Sequence, residues 1–266
     1  MLSQMEGGGW EITDWSPDGS KLLVRNEISA AESYIWLIDA NNGQKTLLTP
    51  KYGADTVAYG MAKFGKDGKG VYLTTDRDSE FQRLSYFDLT SKQYRFLTTS
   101  IPWDIDSFDL SNDGNLIAFV ANQDGISVLH LLEVKTGHER PVPKLPAGVI
   151  GSLRFHKNNR DLAFSLNTSR SPGDAYSIDV STGKLDRWTF SEAGGLDTST
   201  FSEPQPPAFL SGMIKTSLPR GFPSPGQQLN SCFGRHKGAS FTGQSAGRLY
   251  ICLQLHLQLS SSISSM

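Results

Sequence analysis

Gly243-Gln244-Ser245-Ala246-Gly247 fits the Gly-x-Ser-x-Gly pattern, in which a strained strand-to-helix turn exposes a serine for nucleophilic attack. The flanking residues do not supply that turn. Lys237-Gly238-Ala239-Ser240-Phe241-Thr242 makes a poor buried strand, and Arg248-Leu249-Tyr250-Ile251 leads into alternation rather than a helix. A catalytic serine also needs an acid that orients its histidine. His256 lies downstream, yet no Asp or Glu follows Glu203. The pentapeptide is read as a chance match. Cys232 and His236 are four residues apart, a spacing that suits half a metal site, but no second ligand pair lies nearby. His130 follows the strand-like Val128-Leu129 and is read as an ordinary strand residue. His138 and His156 fall in turns and should be solvated. The Asp-Gly pairs offer one acid per turn, short of the 6–8 oxygens calcium takes. No residue is assigned a catalytic, cofactor-binding or metal-binding role, and no cofactor is expected.

The segment holding the serine motif differs from the rest of the 266-residue chain. All 27 acids lie at or before Glu203, whereas five of the 25 cations (Lys215, Arg220, Arg235, Lys237, Arg248) follow Pro206. Residues 1–205 therefore hold 20 cations against 27 acids, and 206–266 hold cations alone. Both cysteines, Cys232 and Cys252, are in the later segment too. Leu249 to Leu259 alternates apolar and polar residues like a strand without a partner. Residues 206–266 are read as a low-complexity tail, frameshifted or disordered. The net charge of −2 argues against a nucleic-acid partner. No apolar run approaches the roughly 20 residues that span a bilayer. The first nine residues have neither the basic start nor the apolar core of a signal peptide, which favours a cytoplasmic location.

The first 205 residues are organised by a repeat. Trp15-Ser16-Pro17-Asp18-Gly19-Ser20-Lys21-Leu22-Leu23-Val24 joins an aromatic-ended strand to an apolar one through a polar turn. The unit recurs at residues 64–73, 108–119 and, more weakly, 155–164, with turn residues Gly19, Gly68, Gly114 and Asn159 stepping by 49, 46 and 45. A second hairpin follows in each unit, turning at Gly43, Lys92, Gly137 and Gly183. Four short strands per period of about 40–50 residues is the pattern of a β-propeller. The fold class predicted is all-β: four four-stranded blades at about 10–50, 57–99, 103–144 and 149–190, forming a partial ring with an irregular C-terminal tail. Blades cannot bury their faces alone, so they must stack. The apolar runs Leu22-Leu23-Val24, Val71-Tyr72-Leu73, 116–119 and Leu162-Ala163-Phe164 are expected to be buried on both faces.

The later repeats carry a family likeness. Ile101-Pro102-Trp103-Asp104-Ile105-Asp106-Ser107-Phe108-Asp109-Leu110-Ser111 resembles the propeller of bacterial prolyl oligopeptidase-family serine peptidases, the dipeptidyl aminopeptidase and acylaminoacyl-peptidase-like enzymes. So do Gly125 to His130, Leu145 to Gly151, Ser169 to Tyr176 and Trp188 to Leu196, up to Phe201-Ser202-Glu203-Pro204. The likeness covers about residues 7–204; its Asp-Gly hairpins alone would also fit a TolB propeller. It implies a substrate-gating propeller, inactive alone, that would serve peptide substrates in an intact enzyme. That enzyme's α/β-hydrolase domain, with its Ser, Asp and His, has no counterpart after Pro204-Gln205, and the family's larger blade number implies material missing at the front. The alternative is a free-standing TolB-like propeller acting as a protein-binding module. Open blade edges would then offer themselves to a protein partner.

Overall fold

In each repeat, alternation of apolar and polar residues suits a strand buried by its neighbours, and the Gly or Asn between strands supplies the left-handed turn residue. The computed structural model describes residues 4–51 and 55–202 and resolves this pattern into four antiparallel sheets. Blade 1 holds β1 (Trp10–Trp15), β2 (Lys21–Ser29), β3 (Glu32–Asp39) and β4 (Lys45–Leu47). Blade 2 holds β5 (Tyr59–Phe64), β6 (Gly70–Thr75), β7 (Arg83–Asp88) and β8 (Tyr94–Phe96). Blade 3 holds β9 (Ile105–Leu110), β10 (Leu116–Gln123), β11 (Ile126–Glu133) and β12 (Glu139–Arg140). Blade 4 holds β13 (Gly148–Phe155), β14 (Asp161–Thr168), β15 (Ser171–Asp179) and β16 (Lys184–Arg187). Strands pair in chain order within each sheet, so every blade is a simple meander. The tail, the serine motif at 243–247, Cys232, His236, Cys252, His256 and the 249–259 alternation lie outside the described residues.

The turns follow from their residues. Gly19, Gly68 and Gly114 sit at φ near +70°, and Asn159 adopts +61° at the equivalent place, a region that Asn tolerates better than most side chains. At the second turns of blades 1, 2 and 4 an aspartate ends the third strand and accepts the next backbone N–H groups. Asp39 takes those of Asn41 and Asn42, Asp88 those of Thr90 and Ser91, and Asp179 those of Ser181 and Thr182. Self-capping of this kind is what makes Asp a turn former.

The core lies between blades. Leu23, Ile35 and Leu48 of blade 1 pack with Tyr59, Ala62, Phe64, Val71, Leu73 and Phe87 of blade 2. Tyr72 and Leu84 meet Ile105, Phe108, Ile117 and Phe119 of blade 3. Leu116, Ala118, Val120, Leu129 and Leu131 meet Ile150, Leu162, Phe164, Leu166 and Ile178 of blade 4. The two-faced burial expected of the apolar runs holds in blades 1 to 3 and fails in blade 4. There Leu162 and Phe164 are buried but Ala163 between them is exposed. The physical reason is that one face of β14 meets blade 3 and the other meets no described blade. In blade 1 the outward face (Leu22, Val24, Ile38) is packed by Trp10, Trp36 and Met5.

Candidate functional site

The polar groups that join blade to blade stand on the first strands, which adjoin one another: β1 touches β5, and β9 touches β13. Each first-strand hairpin carries a bulge, and one charged residue stands at its end in blades 1 and 4, one residue past it in blade 2 and two past it in blade 3. The register slips at Ile12/Asp14, Tyr59/Ala62, Val120/Ala121 (opposite Ser107 and Ile105) and Gly151/Arg154. A bulge re-aims the side chains beside it. The residues so placed are Asp14, Lys63, Asp109 and Arg154, each immediately before Trp15, Phe64, Leu110 and Phe155.

These residues join the blades. The Asp14 Oδ2 accepts the Phe64 N–H at 2.8 Å, and the Asp109 Oδ2 accepts the Phe155 N–H at 2.7 Å. Lys63 Nζ pairs with the Asp109 Oδ1. That pair is mostly buried, so its worth rests on Asp109 satisfying both a cation and a backbone donor. A second set of contacts ties third strands to the next blade. Ser33 donates to the Tyr59 carbonyl at 2.8 Å and accepts its N–H, and Ser127 accepts the Ile150 N–H at 3.0 Å.

A third repeated contact closes the outer edges of blades 1, 2 and 4. Thr49, Thr98 and Thr189 accept the N–H groups of Ile35, Leu84 and Ala175, each 14 residues earlier. In blade 4 this contact is elaborated around the fully buried Asp174. Its carboxylate takes the Ser171 hydroxyl, the Thr189 hydroxyl at 2.9 Å, the Ser191 N–H at 2.7 Å and the Arg187 guanidinium. Burial alone would raise its pKa, but the hydrogen bonds from Ser171, Ser191 and Thr189 outweigh it and hold the carboxyl well below the usual range.

The histidines weighed from the sequence are placed as follows. His138 and His156 are exposed in turns. His130 lies on β11, stacked on Phe119 with ring centroids 4.8 Å apart, and its Nδ1 is 2.9 Å from the Glu139 carboxylate. No serine or cysteine side chain hydrogen-bonds to a histidine among the described residues. The Asp-Gly carboxylates are engaged by their own turns: Asp18 by Ser16 and Ser20, Asp113 by Ser111 and Asn115, Asp67 by the Lys69 N–H. The Ser16 hydroxyl and the Ser20 donors draw the Asp18 pKa down to about 2. No cluster of three or more metal-ligating side chains occurs among the described residues. No helix there is long and apolar enough to cross a membrane.

One larger cleft, of about 430 Å³, opens between blades 3 and 4. Much of its charged lining is committed within the protein: Arg140 pairs with Glu133, Arg160 with Asp161 and Asp179, and Asp113 takes the Ser111 hydroxyl, while Lys135 also lines the cleft. Sequence reading missed the Asp14–Lys63–Asp109–Arg154 column. The signal was present, five residues before the first-turn Gly or Asn of each repeat.

No family model matches the chain. A curated relative, dipeptidyl-peptidase 5 of Porphyromonas gingivalis, is 22% identical over 204 residues, 72% of this chain and 29% of the relative. The chain thus spans about three tenths of the length of that relative. One of two prolyl endopeptidases, analysed for the role of inter-domain dynamics in catalysis and specificity, superposes with a TM-score of 0.58 at 19% identity. The match covers 70% of this chain and 27% of that one. TolB from Acinetobacter baumannii gives 0.56 at 18% identity, over 68% of this chain and 43% of TolB. The four sheets are therefore a partial β-propeller, similar in sequence to dipeptidyl-peptidase 5 and of the fold found in prolyl endopeptidases and in TolB.

Proposed function

We propose that this chain is the non-catalytic propeller portion of a prolyl oligopeptidase-like serine peptidase. In that role it admits peptide substrates by size and cleaves none itself. The 204-residue match to dipeptidyl-peptidase 5 carries this reading. It is supported by the use of Asp14, Lys63, Asp109 and Asp174 in contacts within and between blades. Residues 206–266 lie outside the propeller in this reading, and Ser245 is not a nucleophile. The test is to treat the purified chain with a fluorophosphonate probe and with dipeptide–aminomethylcoumarin substrates. Neither labelling nor release is expected. Stoichiometric labelling that disappears in Ser245→Ala would overturn the reading.

The TolB likeness favours a second reading, a free-standing propeller that binds a protein partner. It expects the chain to hold one partner through the edges of its blades. Cross-linking in cells that returns no reproducible partner would remove it.

A further inference from the structure

Four aspartates precede a glycine: Asp18, Asp67, Asp113 and Asp124. An aspartyl–glycine pair can rearrange by itself. The Gly nitrogen attacks the Asp Cγ, the carboxyl hydroxyl leaves with the amide proton as water, and a succinimide ring closes. Water then opens the ring at either carbonyl. Opening at the side-chain carbonyl restores aspartate. Opening at the main-chain carbonyl leaves isoaspartate, in which the main chain runs through Cγ. The rearrangement needs no other reactant and leaves the mass unchanged. It does need a carboxyl free to lose water and a backbone nitrogen free to turn onto it.

Three of the four pairs are held against both requirements. Asp18 receives the Ser16 and Ser20 hydroxyls and the Ser20 N–H, Asp113 the Ser111 hydroxyl and two Asn115 donors, and Asp67 the Lys69 N–H. Their glycines are fixed as well, since the N–H groups of Gly19, Gly68 and Gly114 donate to the carbonyls of Ser16, Gly65 and Ser111. The Ser16 and Ser111 hydroxyls also lower the pKa of Asp18 and Asp113, which keeps both ionised, and a carboxylate oxygen is a poor leaving group. Asp124 differs on each count. It is exposed at the tip of the hairpin joining β10 to β11, and its carboxylate has no hydrogen bond or ion pair among the described residues. The Gly125 N–H donates to the Asn122 side chain, itself exposed, at 3.0 Å. Asp124 is held at φ +52°, a conformation unfavourable to a residue with a Cβ, so little opposes its rotation. The space beside Gly125 is open, with no atom within 4 Å of where a Cβ would stand.

We propose that Asp124 is the aspartate of this chain that converts to isoaspartate, ahead of Asp18, Asp67 and Asp113. The product has one more main-chain carbon, so the two-residue turn no longer matches the pairing of Gln123 with Ile126.

The test is to age the full chain in warm, mildly acidic buffer, folded in one sample and in urea in another, and to map the peptides of both. Ageing continues until the urea sample, whose turns are gone, shows isoaspartate at all four sites; there the sites should convert at similar rates. In the folded sample the peptide containing Asp124 should gain a second peak of unchanged mass, and electron-transfer fragmentation should place isoaspartate at residue 124. The peptides holding Asp18, Asp67 and Asp113 should show several-fold less. Asp124→Glu cannot close the same ring, so it should abolish the Asp124 peak while leaving the circular dichroism spectrum unchanged. Equal conversion at the four sites of the folded chain would overturn the proposal, as would conversion led by any of the other three. A folded chain free of isoaspartate while the urea sample gains it would do the same. The wild-type map decides by itself if the variant does not fold.

Discussion

In blades 1 and 3 the first turn opens with a serine, Ser16 or Ser111. Its hydroxyl donates to the Asp two residues on and accepts the N–H five residues on. Blades 2 and 4 have Gly65 and His156 at that place. The same division runs along the first strands, with carboxylates in blades 1 and 3 and cations in blades 2 and 4. The apolar repeat is common to all four, so it can stack any blade on any other. The polar column is directional: a carboxylate accepts a backbone donor from the next blade and a cation cannot. The difference teaches that burial makes the blades, while the charged residue near the end of each first strand sets which faces meet. Buried like charges at a wrong junction would be costly.

The largest expected effect comes from removing the acceptor that serves both neighbours. Asp109→Ala leaves Lys63 buried without its carboxylate and the Phe155 N–H without an acceptor. The cost should be about 3 kcal/mol, seen as a drop of roughly 6–12 °C in melting temperature. Asp14→Ala, at the same place in blade 1, loses only the Phe64 contact and should cost about 1 kcal/mol. Equal losses in the two variants would break the comparison.

Asp174→Asn tests the one carboxylate that blade 4 adds to the shared threonine contact. It should cost about 2 kcal/mol at neutral pH. A folded-state pKa below the unfolded value gives stability that is present above the ordinary carboxylate range and lost as pH falls through the folded value. The wild-type melting temperature should therefore fall below about pH 4, and Asp174→Asn should flatten that part of the profile. The smallest effect is expected from Gly65→Ser, which gives blade 2 the serine of blades 1 and 3. An added Cβ meets the Asp67 carboxylate at 3.1 Å, a flexible group that can turn to accept the new hydroxyl. A gain of about 0.5 kcal/mol in chemical denaturation is expected, and a loss would mean the two turn types are not interchangeable.

The four-blade pattern was legible because turn glycines and strand aromatics recur at one period, and Asn159 could be aligned with them despite being no glycine. The one-sided exposure of Ala163 was not legible, since a local sequence states which face of a strand is apolar but not whether a neighbour covers it. The threonines at 49, 98 and 189 fall just past the last strand of their blades, where hydrophobic periodicity has ended. Asp174 sits in Ser171-Pro172-Gly173-Asp174, a run that reads as an exposed turn. Its burial follows from Arg187 and Thr189 folding back over it from the strand edge beyond. The charged column escaped notice because it alternates with the apolar residues that define the strand and changes sign between repeats.

A double-mutant cycle on Lys63 and Asp109 tests most directly whether the charged column joins the blades. Lys63→Met, Asp109→Asn and the double variant would be unfolded in urea beside the wild type. The predicted coupling between the two sites is about 1.5 kcal/mol or more. A coupling below about 0.3 kcal/mol, within the additivity expected of independent sites, would contradict the claim and leave apolar burial alone to order the blades.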